Sequence, residues 1–141
     1  LGGTKNAFKG IMKRPKILIV EDDQDIRALC QEILEDEGYV VSVCANGQDA
    51  MEYLEVHRQP NLILLDMMMP VMNGREFMAA YRESQGTSVK RIAPVYLVSA
   101  SAAKSEVRDL GCKGFLRKPF DFDALMNIVR THCASGQSEL R

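Results

Sequence analysis

The residues best suited to chemistry in this chain are few, and they fall at recurrent places. Glu21, Asp22 and Asp23 follow the apolar run at 16–20 (KILIV). Asp66 follows the run at 62–65 (LILL). Ser99 follows VYLV at 95–98, and Lys118, with Pro119 behind it, follows GFLR at 114–117. Two or three carboxylates sharing one pocket cannot all stay ionised cheaply without a counter-charge. A hard divalent cation such as Mg2+ meets that need, because it takes oxygen ligands, keeps several waters and often shares a phosphate. Lys118 brings a second positive charge. A lone carboxylate, Asp66, between a metal and an ammonium suits phosphoryl transfer to that carboxylate: the cations neutralise the transferring oxygens and Asp66 is the nucleophile. The Ser99 hydroxyl can then hydrogen-bond the bound phosphoryl group.

That constellation depends on the runs being strands that end on one edge. Each is short and continuously apolar, which suits strands buried on both faces. A further run, VVSVC at 40–44, reads as a second strand whose end, Cys44-Ala45, adds no polar group. Between the strands lie amphipathic segments. Ile26, Leu29, Cys30, Ile33 and Leu34 share one helical face, and Gly38 stops that helix. Asn46 is a candidate cap for a helix with Ala50, Met51 and Leu54. Asn73 and Gly74 open a third, with Phe77, Met78 and Tyr81 inward. The segment at 83–91 reads as a loop. A short fourth helix spans 102–110, and Asp121 caps a fifth that turns Leu125, Ile128, Val129 and His132 inward. Alternating strands and helices predict an α/β fold with a parallel sheet covered on both faces. In such folds ligands bind beyond the carboxyl ends of the strands. The first loop is acidic rather than glycine-rich, which excludes dinucleotide and flavodoxin-type phosphate binding there.

Composition bounds the function further. The 141 residues carry 18 Lys and Arg against 19 Asp and Glu, a net charge of -1. This gives no whole-molecule attraction to nucleic acid or to an anionic membrane. No apolar run approaches the roughly 20 residues that span a bilayer. None of Cys30, Cys44, Cys112 and Cys133 forms a CxxC pair, so they read as plain thiols in a reducing, cytoplasmic setting. His57 and His132 sit away from the strand ends and are assigned no chemistry.

In order along the chain, ILIVEDD at 17–23, LILLDMMMPVMNG at 62–74, VYLVSAS at 95–101 and GFLRKPF at 114–120 resemble the receiver domain of two-component response regulators. The resemblance covers residues 16–133. It leaves 1–15 as an N-terminal extension or linker and 134–141 as a flexible polar tail. It implies a five-stranded parallel sheet of flavodoxin-like order 2-1-3-4-5. It implies that Asp66 accepts a phosphoryl group from a histidine kinase or phosphotransfer protein. Asp22, Asp66 and the Met68 backbone carbonyl would hold Mg2+, with Glu21 acting through a water. Lys118 would contact the phosphoryl group, Ser99 and Phe115 would be the switch pair, and the Lys118–Pro119 bond would be cis. The stretch from Ser99 to Lys118 is roughly one helical turn shorter than usual in the family, which predicts a shortened fourth helix.

The expected role is a signalling switch acting on a downstream protein, a monomer or weak phosphorylation-dependent dimer that catalyses only its own phosphorylation and dephosphorylation. Two rivals stand beside it. An Asp-nucleophile phosphatase needs a general acid; known enzymes of that kind place a second Asp two residues after the nucleophile, where this chain has Met68. A degenerate receiver would bind protein without taking phosphate, against which stands the complete set Asp22, Asp66, Ser99 and Lys118.

Overall fold

The computed structural model describes residues 14–85, 92–101 and 104–133. In chain order the elements are β1 (Lys16–Val20), α1 (Gln24–Asp36), β2 (Val40–Cys44), α2 (Gly47–Val56), β3 (Leu62–Asp66), α3 (Gly74–Gln85), β4 (Val95–Ser99), α4 (Lys104–Leu110), β5 (Gly114–Arg117) and α5 (Phe122–Cys133). The strands form one parallel sheet in the order β2-β1-β3-β4-β5.

Because side chains alternate across a strand, each strand feeds two cores. Leu18, Val20, Ile63, Leu65, Val95 and Leu97 meet Ala50, Phe77, Met78, Tyr81, Val107 and Leu110 from α2, α3 and α4. Ile17, Ile19, Leu62, Leu64, Val98 and Leu116 meet Cys30, Leu34, Leu125, Met126 and Val129 from α1 and α5. Central β3 is buried along its whole length, which is why its sequence is continuously apolar up to Asp66. Burial of each such large side chain contributes about 1.5–3 kcal/mol.

The helix ends follow the sequence closely. Asn46 caps α2 by accepting from the Asp49 N–H at 2.9 Å. Asn73 and Glu76 cap α3 reciprocally, at 2.8 and 3.0 Å, an arrangement that satisfies two otherwise unpaired donors. Asp121 caps α5 through the Ala124 N–H at 2.8 Å. Gly38, at φ 96, ends α1 in the left-handed region that glycine enters without strain.

Some sequence expectations need correction. Leu29 is 59% exposed, whereas Cys30 and Leu34 are buried; it sits at the edge of the apolar stripe, beyond the reach of the sheet. Ile128 and His132 are only half-buried on α5, where Met126 is fully enclosed. The segment begun at Glu83 is not all loop, since α3 continues through Gln85. β3 and β4 each run one residue further than the apolar pattern, so Asp66 and Ser99 are themselves strand residues. The extension before Arg14, the tail after Cys133 and the start of the fourth helix at Ala102 lie outside the described residues. The helix that is described, α4, has seven residues.

Candidate functional site

The sheet brings the ends of β1, β3, β4 and β5 to one edge, and four polar side chains converge there. Glu21 is 3% exposed and Asp66 is 6% exposed, rare values for carboxylates. Lys118 reaches between them: its Nζ lies 2.8 Å from Glu21 Oε1 and 3.3 Å from Asp66 Oδ1. Asp22 is exposed at the mouth. Carboxylate oxygens of Glu21, Asp22 and Asp66 all lie within 4.8 Å of one another.

Local structure holds each of these groups. The Glu21 N–H donates to the Cys44 carbonyl at 3.0 Å, so the first loop leaves β1 in a fixed direction. Arg27 donates to the carbonyls of Glu21 and Asp22 at 2.8 and 3.4 Å. Asp23 caps α1, accepting from the N–H groups of Asp25 and Ile26, while its own N–H donates to Glu21 Oε2 at 3.1 Å. After Asp66, the Gly74 N–H closes the loop onto the Met67 carbonyl at 2.9 Å. A Cβ at Gly74 would lie 2.7 Å from the Asp66 carbonyl oxygen, so only glycine allows this approach. Within the loop the Met72 N–H donates to the Pro70 carbonyl at 2.7 Å, across Val71 at φ 68. This is a strained turn for a β-branched residue. It is secured from outside, because the Met72 carbonyl accepts from the Gly47 N–H at 2.9 Å. The Met68 side chain is 76% exposed and Met69 is buried.

On the other half of the edge, the Lys118 N–H donates to the Ser99 carbonyl at 2.9 Å, and the Lys118–Pro119 bond is cis. Ser99 is buried, and its Oγ accepts from the Ser101 N–H at 3.2 Å. Phe115 is half-buried against the core shared by α2, α3 and α4.

Charge is in excess here. Burial, followed by the Glu21 charge and hydrogen bond, pushes the Asp66 carboxyl up to about 7, against the lowering effect of Lys118. Burial alone would lower the Lys118 ammonium, but its hydrogen bond to Glu21 and the charges of Asp66 and Glu21 outweigh that and hold it above its ordinary value. One ammonium facing three clustered carboxylates leaves a net negative pocket, and its donors are all oxygen. This donor set fits a hard divalent cation. Both Glu21 oxygens are engaged, one by Lys118 and one by the Asp23 N–H, whereas Asp22 faces solvent.

The structure thus gathers Glu21, Asp22, Asp66 and Lys118 tightly, with Ser99 on the adjoining strand. Phe115 lies on β5, packed against the core shared by α2, α3 and α4. Sequence reasoning missed Arg27, which holds the backbone of the acidic loop, and Arg117, whose guanidinium donates to the Ala100 carbonyl beside Ser99. The signal for Arg27 was a cation in the first turn of the helix behind an acidic loop. For Arg117 it was a spacing of two from Phe115 on one strand. The groove at the opposite end of the sheet, about 500 Å³ and lined by Tyr81, Arg82, Pro94, Lys113 and His132 among others, holds no acidic cluster. There His132 Nε2 lies 2.9 Å from the Tyr96 hydroxyl.

Comparison with known proteins defines the class. A family model described as the response regulator receiver domain matches residues 17–130. Response regulator Rre1 of Synechocystis is 34% identical over 125 residues, which cover 86% of this chain and 53% of that protein. An uncharacterised 14.6 kDa protein of Leptolyngbya boryana is 35% identical over 118 residues, covering 83% of this chain and 88% of that one. Among solved structures, chemotaxis protein CheY4 of Vibrio cholerae superposes with a TM-score of 0.75 at 29% identity, over 85% of this chain and 99% of that one. A receiver domain of a signal transduction histidine kinase from Syntrophus aciditrophicus gives 0.72 at 30% identity, over 85% and 90%. The chain belongs to the response regulator receiver family and has its five-stranded fold. It spans about half the length of the first curated relatives it matches.

Proposed function

We propose that Asp66 is the phosphoacceptor of this receiver domain, that the reaction depends on Mg2+, and that the surface around β4 and β5 responds to it. The observation that carries this reading is a nearly buried Asp66 held among Glu21, Asp22 and Lys118 in a pocket with surplus negative charge. A carboxylate oxygen of Asp66 attacks the phosphorus of a phosphohistidine. The phosphorus–nitrogen bond breaks, its electrons return to the imidazole, and an acyl phosphate remains. Mg2+, when bound, supplies electrostatic stabilisation of the phosphoryl oxygens. Asp22 and Asp66, with the Met68 carbonyl, would hold it, and Glu21 would act through a water. Lys118 exchanges a carboxylate partner for a phosphoryl oxygen. Ser99 turns its hydroxyl to donate to another, and Phe115 follows.

The donor would be a histidine kinase or phosphotransfer protein, and the reader a downstream protein. The domain turns over no separate substrate; it catalyses its own phosphorylation and dephosphorylation. The test is intact mass after incubation with acetyl phosphate and Mg2+. The expected result is a gain of one phosphoryl group that EDTA abolishes and that Asp66→Asn lacks. A gain that survives Asp66→Asn would move the acceptor to another residue. No gain in the parent would favour a phosphorylation-independent binding module.

A further inference from the structure

Arg117 follows Phe115 by two residues on β5, so both side chains leave the same face of the sheet. The Arg117 guanidinium carbon stands 5.6 Å from the centre of the Phe115 ring, within cation–π range. The same guanidinium donates to the Ala100 carbonyl at 3.1 Å. Ala100 follows Ser99 directly, and Ser99 is the ladder partner of Arg117. One exposed side chain therefore holds both a half-buried aromatic ring and the loop that carries the Ser99 hydroxyl. That hydroxyl is engaged with its own loop, through the Ser101 N–H.

We propose that Arg117 is a latch on this loop, a positioning residue that opposes the movement of Ser99 toward a phosphoryl group on Asp66. This rests on the phosphoacceptor reading given above. Ser99 Oγ accepts from the Ser101 N–H and keeps its own proton to donate; drawing that hydroxyl toward a phosphoryl oxygen pulls on the turn from Ser99 to Ser101. The Ala100 carbonyl lies within that turn and moves with it. Its bond to Arg117 breaks in the same movement, and Phe115 loses the cation above its ring. The salt bridges among the described residues involve Arg75, Glu106, Lys118, Glu21 and Asp66, so no carboxylate among them holds the guanidinium in this structure. An exposed hydrogen bond and an exposed cation–π contact together bias such an equilibrium by roughly five- to tenfold.

A bland electrostatic role predicts the opposite sign. If Arg117 merely attracted phosphoryl oxygens, its removal would weaken anion binding. The test is therefore titration with beryllofluoride, a phosphoryl mimic, in the presence of Mg2+, for the parent, Arg117→Met and Arg117→Lys. Arg117→Met is expected to bind about five- to tenfold tighter with its affinity for Mg2+ alone unchanged. Arg117→Lys keeps the charge but lacks the planar fork, and it is expected to tighten as well. Equal or weaker binding by Arg117→Met overturns the latch. A second readout needs no ligand: the Ser101 amide should show faster hydrogen exchange in Arg117→Met than in the parent. An unchanged Ser101 amide also overturns the latch while leaving the phosphoacceptor reading intact. If the parent itself fails to bind beryllofluoride, the phosphoacceptor reading falls and the latch with it.

Discussion

The two halves of the sheet's carboxyl edge are built to different standards of rigidity. On the β1 and β3 half, Glu21 is fixed through its backbone to Cys44, through its side chain to Asp23 and Lys118, and through its carbonyl to Arg27. Asp66 is followed by a loop closed at Gly74 and secured on α2 through Gly47. On the β4 and β5 half, among the described residues, Ser99 is tied through its carbonyl to the Lys118 N–H, and the turn after it is held by the Ser101 N–H and by one exposed arginine. The short α4 reaches α3 through Arg75–Glu106 and a long contact of 3.4 Å from Arg82 to the Asp109 carbonyl. A site that stabilises developing charge gains from donors and acceptors that need not reorganise. Segments that move in a switch are drawn from the weakly held part of a fold. Under the phosphoacceptor reading proposed above, the two halves would be an accepting half and a responding half.

The largest effect on the accepting half is expected from Gly74→Ala. The new Cβ would fall 2.7 Å from the Asp66 carbonyl oxygen and 2.9 Å from Met67 Cα, both backbone atoms that cannot rotate away. Overpacking of this kind costs about 2–3 kcal/mol, read as a lowered urea midpoint. An unchanged midpoint would mean the loop is slack and the contrast between the halves is false.

Next comes pH. The Asp66 carboxyl sits near 7 in the folded protein because of burial and the adjacent Glu21, against about 3.9 in an unfolded chain. The folded state holds the proton more tightly, so this contribution to stability is full below about pH 4 and is lost as pH rises through about 7. Without divalent cations, Asp66→Asn should therefore melt above the parent at pH 8, with the difference disappearing toward pH 4. Mg2+ competes with the proton, so it should raise the parent's melting temperature more at pH 8 than at pH 6. If the Asn variant melts below the parent at pH 8, Lys118 compensates Asp66 more fully than its shared contact with Glu21 suggests.

Much of this was legible in the sequence, for physical reasons that also mark where legibility stops. β1, a continuous apolar run buried along nearly its whole length, and the mostly apolar edge strands β2 and β5 could be bounded to the residue. β3 and β4 ran one residue over, because a polar side chain can end a strand from within the ladder. Helix caps are local chemistry, and Asn46, Asn73 and Asp121 were visible. The exposure of Leu29 was not, because helical spacing defines a stripe without saying how much of it the sheet covers. The convergence of Glu21, Asp22, Asp66 and Lys118 followed from the rule that strand ends share an edge. The pairing of Lys118 with Glu21 did not, since it depends on how far one flexible side chain reaches across two strands.

The α1 cap offers a smaller test of the accepting half. Asp23 accepts from two N–H groups, at 2.9 and 3.1 Å, and Asp23→Ala should cost about 1 kcal/mol in chemical denaturation. The Asp23 N–H would remain to hold Glu21 Oε2, so the loss should leave Mg2+ affinity nearly unchanged. A large fall in that affinity would show that the cap, rather than the β1 ladder, orients the acidic loop.

The smallest effect is expected on the responding half. Arg75 and Glu106 join α3 to α4 at 2.6 Å, but their side chains are 57% and 32% exposed. Exposed pairs of this kind contribute about 0–1 kcal/mol, and Arg75→Ala should fall in the lower part of that range by urea denaturation. Local and global readouts should then separate. Amides of α4 should exchange faster, because among the described residues few other polar contacts reach this helix, while the buried strands keep their protection. Val107 and Leu110 still anchor α4 to the core, so the helix should loosen without being lost. A global loss well above 1 kcal/mol would place α4 in the rigid part of the molecule and confine the responding surface to the Ser99–Ser101 turn and β5.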